Sequence, residues 1–344
     1  MTGVDPILIV GNEGGTNIGA SLLRAANALG IPAELADARS AYDAPRAVAR
    51  FNWWVRGRRP TRLGAFSASV AERWRQSPPS SIIAAGLAPL DARALADARQ
   101  HDIPTTVYLT DDPWNPAFKS QWFLDALPLY DRVFTPRRSN VADLIRHGCR
   151  SVEFLPFGFD QELFFPDPPP AAEVSRYAAD VFFAGGADKE RRPFLAALVA
   201  NGVDVALYGD YWERFAETRH VTRGHGSPKE LRHAIAASKV CLGLVRRANR
   251  DGHAMRSIEV PAAGGCFLVE RTREHEDIFG PDGDAVTYFD DIDGMVRETR
   301  RLLEDGARRE RLRARALDVI TRGQFTYEDR LRTLMGQTAP VEAR

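Results

Sequence analysis

The sequence carries no net charge, little cysteine and no long apolar run, and each absence removes a class of function. Lysine plus arginine and aspartate plus glutamate both number 46. A chain that grips many nucleic-acid phosphates should be basic overall, so this balance argues against a nucleic-acid binder. The three cysteines, Cys149, Cys241 and Cys266, share no ligand-like spacing. They suit a reducing compartment and no disulfide framework. Cys241 and Cys266 sit in apolar runs and read as core filler. No apolar stretch approaches the ~20 residues needed to span a bilayer. Ile7–Val10 is far too short for the apolar region of a signal peptide. A cytoplasmic protein is expected.

What is present points to an α/β protein. At 44% hydrophobic and 27% charged residues the composition is globular. A length of 344 residues is long for one core, so two domains are expected. Short apolar runs alternate with amphipathic segments throughout. Strands are expected at 7–10, 33–36, 81–85, 105–110, 132–135 and 152–155, and again at 180–184, 203–208, 240–245, 266–270 and 285–289. Helices are expected between them, among others at 20–29, 91–100, 140–147 and 228–237. The boundaries follow: residues 1–156 form a first doubly wound domain, a Pro-rich stretch at 157–172 a linker, and 173–325 a second domain. Residues 326–344 form a terminal segment expected to return to the first domain. Two such domains should face each other across a cleft lined by sheet edges.

Several segments compete for a functional reading. The loop GNEGGTNIG after the first strand contributes Gly14 and Gly15 as candidate ligand-binding positions. Asp37 ends the second strand where a ribose-binding acid sits in a dinucleotide site. The glycines at 11, 14, 15 and 19 do not match G-x-G-x-x-G, so an NAD-dependent dehydrogenase is a minor alternative. Residues 44–71 hold six arginines, at 46, 50, 56, 58, 59 and 62, interleaved with Phe51, Trp53 and Trp54, and no acid. Such a segment can lie on an anionic membrane or hold a lipid-linked acceptor, as a peripheral contact at the inner face. Its plainer reading is a helix with aromatics packed inward and arginines solvated. Asp111 and Asp112 end a buried strand, where they can bind an acceptor, assist proton transfer, or cap a turn.

The richest stretch is Asp251–Gly265, DGHAMRSIEVPAAGG. It reads as a loop, a helix and a Gly-Gly turn. Asp251 and Glu259 can face one pocket from different depths, with Arg256 as a fixed cation and the helix start offering free N–H groups. His253 reads as a donor contact or a solvated loop residue. Carboxylates for sugar hydroxyls beside donors for phosphate suit a nucleotide-sugar.

Four segments make the chain resemble GT-B glycosyltransferases, and among them the CgeB-like (spore maturation protein B-like) group, related to the group 1, family 4 retaining enzymes. The first is Leu155–Asp160 with Phe164 and Pro166. The second is Arg256–Gly265, similar to R-x-x-E-x-x-A-x-G. The third is Thr272–Phe279 with Gly283 and the run to Phe289. The fourth is Phe325–Tyr327 with Arg330. The resemblance implies sugar transfer from a UDP- or GDP-type donor to a glycan, lipid-linked or protein acceptor, with retention and without a cofactor or metal. It implies that Glu259 holds the donor ribose and that Asp251 lies near the donor sugar. It also implies that Gly185 and Gly186 underlie the diphosphate and that Arg191 or Arg192 supplies charge there. Residues 222–226, including Gly224 and His225, would hold the base. Asp251, Asp112 and Arg256 are the candidate catalytic set. Asp282 and Asp284 mimic a metal-binding D-x-D but lie in a Pro-Asp-Gly-Asp turn. An epimerase of the same architecture and a nucleotide-sugar-binding protein without chemistry are the alternatives.

Overall fold

The computed structural model describes residues 5–338. Among them the chain forms eleven strands. β1 (Ile7–Gly11), β2 (Ala33–Asp37), β3 (Ser81–Ala85), β4 (Thr105–Tyr108), β5 (Arg132–Thr135) and β6 (Val152–Phe154) pair in the order β2-β1-β3-β4-β5-β6. β7 (Ala179–Ala184), β8 (Val205–Tyr208), β9 (Ser238–Gly243), β10 (Phe267–Glu270) and β11 (Thr287–Phe289) pair in the order β11-β10-β9-β7-β8. Every ladder is parallel. Parallel strands joined by helices are covered on both faces, which is why these runs are apolar without alternation. In both sheets the chain's first strand lies between its second and third, the flavodoxin-like order with a switch point between first and third.

The chain divides into two compact units, one per sheet. Of the described residues, the first holds those through Pro156, the short segment Ala248–Arg250 and those from Tyr327 to Thr338. The second holds Phe157–Arg247 and Asp251–Thr326. The core of the first unit gathers Leu8, Val10, Ile82, Val107, Trp74 and Phe123, and that of the second Val181, Phe183, Leu195, Trp212, Leu242 and Leu268. All three cysteines are buried. Burial pushes the Cys149 and Cys266 thiols up to about 11, so they stay protonated and inert as core filler.

The Pro-rich stretch is packed rather than free: Phe157, Phe159 and Phe164 are buried in the second unit, and Phe159 N–H donates to the Phe325 carbonyl at 2.8 Å. Helix Tyr327–Leu334 packs on helix Ile18–Ala28 in the first unit. Its Arg330 is fully buried and donates Nε to the Pro156 carbonyl at 2.7 Å.

Several strands are trimmed by up to two residues, among them β4, β8 and β11, and one is shifted along the chain. The run 240–245 is strand only to Gly243, and it begins earlier, at Ser238. Ser238 pairs with Ala179 of β7, which extends the ladder backward. At the other end Val245 N–H donates to the Glu270 carboxylate at 3.2 Å instead of to a neighbouring strand. The chain therefore leaves the sheet two residues early, at the edge where the switch point lies.

Candidate functional site

In the second unit the switch point falls between β7 and β9, so the loops after those strands open a crevice at the C-terminal edge. The loop after β7 is Gly185–Gly186. A Cβ on Gly185 would stand 2.9 Å from Arg191 Nη1, so the guanidinium lies directly against this glycine. Gly209, after β8, has φ +130° and would place a Cβ 2.5 Å from the Gly185 carbonyl oxygen. Only glycine lets these two loops meet. Arg191 is buried and donates Nε to Asp188 at 2.7 Å. Burial lowers its pKa, opposed by Asp188 and Asp251 and reinforced by Arg246. Asp188, Asp251 and Arg246 thus surround one buried cation. Helix Arg192–Ala200 starts just beyond, with Pro193 in its first turn.

Arg246 follows the end of β9 and forms no ion pair among the described residues. The sequence reading missed it, although an Arg-Arg pair after an apolar run was the available signal. Its neighbour Arg247 is bound to the buried Glu270 at 2.6 Å. Arg192, offered as an alternative source of charge to Arg191, pairs instead with Glu217 at 2.6 Å and stacks on Phe215.

The Asp251–Gly265 stretch folds as a loop and the helix Met255–Ala262. Asp251 N–H donates to the Arg246 carbonyl at 3.2 Å, which ties the loop to the end of β9. Gly252 sits so close to Glu274 that a Cβ would clash at 2.3 Å. Thr272 donates Oγ1 to the Gly252 carbonyl at 2.5 Å. His253 is neither solvated nor turned to a ligand. Its side chain is wholly buried, Nδ1 meets Glu274 at 2.6 Å, and Nε2 accepts from Phe157 N–H at 3.0 Å. Two partners on one ring make it a brace for the loop, a correction to both sequence readings of His253. A second buried imidazole, His275, bridges Ser257 Oγ and the Glu270 carbonyl, each at 2.8 Å. Burial lowers its pKa to about 4, so it is neutral at pH 7.

Glu259 and Arg256 stand one turn apart on that helix and are ion-paired. Glu259 is buried, and burial raises its pKa against the pull of Arg256; Asp160 nearby adds to the rise. Arg256 is half-buried over the Phe164 ring at 5.5 Å. Ser257 N–H in its first turn donates to the Ala254 carbonyl at 2.9 Å, which leaves the Met255 and Arg256 N–H groups without an intrahelical acceptor. The segment 222–226 runs beside β8: Arg223 N–H donates to the Leu207 carbonyl at 2.7 Å and Gly209 N–H to the Gly224 carbonyl at 2.9 Å. His225 is exposed and meets Asp210 at 2.5 Å.

Gly14, Gly15 and Asp112 belong to the first unit. Gly14 and Gly15 have φ +78° and +54°, and both look onto open space. Asn17 Nδ2 holds the Gly14 carbonyl at 2.8 Å. Asp37 is taken by Arg39, whose Nε donates to it at 2.8 Å, and that hydrogen bond holds its carboxyl below the ordinary range. Asp112 is buried and clamped by Arg250, through Nε at 2.5 Å and Nη2 at 3.0 Å. Asn249 adds contacts to Asp112 N–H at 3.0 Å and to Asp111 at 3.3 Å. The Asp112 carboxylate also accepts from Trp114 N–H at 3.0 Å, so it is taken up as a turn cap and as an anchor for Ala248–Arg250, a correction to the proton-transfer reading. Asp282 accepts from Tyr288 N–H at 2.8 Å and Asp284 pairs with Arg315 at 3.4 Å, which fits a structural turn. Among the described residues no three His, Cys, Asp or Glu side chains cluster as a metal site. No described helix is long and apolar enough to cross a membrane.

Residues 190–336 match the family model described as glycosyl transferase-like. No curated protein matches the chain by sequence. A sucrose-phosphate synthase from Thermosynechococcus elongatus superposes with a TM-score of 0.67 at 14% identity, covering 97% of this chain and 98% of the other. Anabaena HepE in complex with UDP and glucose gives 0.63 at 14% identity, over 97% and 98%. A trehalose-6-phosphate synthase gives 0.64 at 14% identity, over 97% and 100%. The fold is GT-B. In the GT-B frame the matched segment contains Arg191, Arg246, the Asp251–Gly265 stretch and the helix from Tyr327.

Proposed function

We propose that this protein is a glycosyltransferase that moves a sugar from a nucleotide-diphosphate sugar to a hydroxyl-bearing acceptor. The observation that carries the reading is the buried Arg191 cation against Gly185, at the switch point of the second sheet and beside the unpaired Arg246. The family match to residues 190–336 supports it, as do the UDP and glucose that Anabaena HepE holds. In this reading the glycine loop lies along the diphosphate. Arg191, Arg246 and the N–H groups of the Met255–Ala262 helix stabilise the charge that develops as the nucleotide diphosphate leaves. Those groups supply positive charge from protein, so we propose a metal-independent reaction. Glu259 binds the donor ribose once its carboxylate turns from Arg256, Asp251 orients the donor sugar, and 222–226 meets the base. We propose retention of configuration and CgeB-like membership on the resemblance of the sequence motifs alone. A dehydrogenase is the weaker reading, because Arg39 occupies the Asp37 carboxylate that a ribose would need.

The test is a thermal-shift series with UDP, GDP, ADP, dTDP and NAD, followed by donor hydrolysis with and without EDTA. Stabilisation follows ligand concentration over affinity, so one nucleoside diphosphate should stand out. The UDP- or GDP-linked sugar of that base should then be hydrolysed slowly, and equally with EDTA present. Stabilisation by NAD alone, or turnover restored only by manganese, would overturn the reading.

A further inference from the structure

The helix Arg46–Val55 carries an apolar face that nothing in the first unit covers. Phe51 is 55% exposed, Trp54 75% and Val55 65%. Val48, Phe51 and Val55 follow at three- and four-residue spacing, so they share one side, and Trp54 extends it. The sequence reading favoured aromatics packed inward, and the structure reverses it: Asn52 is the one buried residue of this helix, held by Thr61 at 3.0 Å. Gly57 and Arg58, at φ +62° and +60°, end the helix sharply. Arg58 folds back over Trp53 at 5.7 Å and donates to the Lys119 carbonyl at 3.0 Å. Around this face Arg46, Arg50, Arg56 and Arg59 form no ion pair among the described residues. Arg62 has one exposed partner, Asp43, at 3.6 Å.

We propose that this helix docks the protein on an anionic lipid bilayer, with Phe51, Trp54 and Val55 entering the headgroup boundary and the arginines meeting lipid phosphates. Charge decides between the possible occupants. A second copy would bring two clusters of unpaired arginines together, which repel. A neutral apolar partner would leave those cations desolvated without a counter-charge. A bilayer with anionic headgroups supplies apolar depth and negative charge in the right order, apolar face inward and cations at the boundary. The inference is independent of the nucleotide site, which lies in the second unit.

The experiment is co-sedimentation of the full chain with vesicles of phosphatidylcholine alone and of phosphatidylcholine with 30% phosphatidylglycerol. Binding to the anionic vesicles is expected, weakening as salt rises because screening shortens charge attraction. Phe51→Ser with Trp54→Ser should cut partitioning about tenfold or more, through the lost apolar insertion. Arg50→Gln should cut it roughly fivefold, the effect of one basic residue near an anionic surface. Both variants should keep the wild-type melting temperature and nucleotide stabilisation, since Phe51 and Trp54 are mostly exposed and Arg50 forms no ion pair among the described residues. Brominated lipid should quench the tryptophan fluorescence of the wild type more than that of the double variant. No sedimentation with anionic vesicles, equal binding to neutral ones, or undiminished binding of the double variant would overturn the proposal. So would a wild-type dimer in light scattering that the double variant dissolves.

Discussion

Both sheets place their first strand between the second and third, yet the two switch points are fitted differently. In the first unit the loop after β1 is held by Asn17, Gly14 and Gly15 face open space, and the two acids at hand, Glu13 and Asp37, are both paired with Arg39. In the second unit the loop after β7 lies on a buried arginine, touches the loop after β8, and is flanked by Arg246, which forms no ion pair among the described residues. One topology therefore gives two crevices, and the second brings two arginines, Arg191 and Arg246, together at its edge. Strand order locates a crevice, and the side chains delivered to it determine what it binds.

The comparison breaks most directly at its glycines. Gly209→Ala should lower nucleoside-diphosphate affinity about a hundredfold, because the new Cβ collides with the Gly185 carbonyl and the loop above Arg191 must move. Gly15→Ala, the matched change in the first unit, should cost about 1–2 kcal/mol of stability for its left-handed φ and leave nucleotide affinity unchanged. Isothermal calorimetry with UDP and GDP, beside circular dichroism melts, separates the two. Equal losses from both changes would place the nucleotide in the wrong unit.

Arg246→Ala sharpens the electrostatic half. Charge-assisted hydrogen bonds contribute roughly 1.5–3 kcal/mol, so the variant should bind the nucleoside diphosphate about tenfold more weakly. Affinity for the nucleoside alone should not change. Because Arg246 forms no ion pair among the described residues, its loss leaves no buried acid behind and the melting temperature should hold. A matching loss for diphosphate and nucleoside would show that Arg246 meets the base or ribose instead.

Glu259→Gln has a pH signature. Burial raises the Glu259 pKa above its unfolded value, so the native state holds the proton more firmly than the unfolded chain does. The carboxyl's contribution to stability is thus complete below the unfolded pKa and is lost as pH rises through the folded one. Glutamine cannot ionise. The variant should match the wild type near pH 4 and be relatively more stable at pH 7, while binding nucleotide about tenfold more weakly through the lost charged acceptor. Thermal melts from pH 4 to 8 with and without nucleotide give both readouts. A stability difference that runs the other way would mean that Arg256 outweighs burial.

Much of this fold was legible in the chain. Continuous apolar runs such as Ile7–Val10 and Phe267–Glu270 became parallel strands, because a strand covered on both faces has no polar side to show. The helix after Asp251 and the Gly-Gly turn beyond it also fell where the pattern put them. What was not legible was partnership. Asp112 and His253 have the right residue types in the right loops, but tertiary contacts with Arg250 and Glu274 occupy their polar atoms. Nothing local to residue 112 announces an arginine 138 positions away. Arg246 was missed for the converse reason: its side chain forms no ion pair among the described residues, and a sequence does not display an absent ion pair. The helix 46–55 misled through its composition: aromatics imply burial on average, and only the structure shows that no part of the first unit covers these.

The smallest expected effect contrasts two neighbours in the chain. Arg191 and Arg192 read alike as cations after a glycine loop, yet Arg191 turns under Gly185 while Arg192 turns outward to Glu217 and Phe215. Arg192 and Glu217 are partly exposed, and an exposed ion pair contributes only ~0–1 kcal/mol. Arg192→Ala should therefore shift the melting temperature little and change nucleoside-diphosphate affinity less than about threefold, the equivalent of well under 1 kcal/mol. The comparison must be made at low and physiological salt, because a long-range contribution from an exposed cation fades with screening whereas a direct phosphate contact persists better. A tenfold loss that survives physiological salt would mean that Arg192 leaves Glu217 and reaches the diphosphate when nucleotide binds. The positive charge of the second switch point would then be assembled by the ligand rather than held in place by Asp188, and Arg191 would be a structural cation beneath the loop.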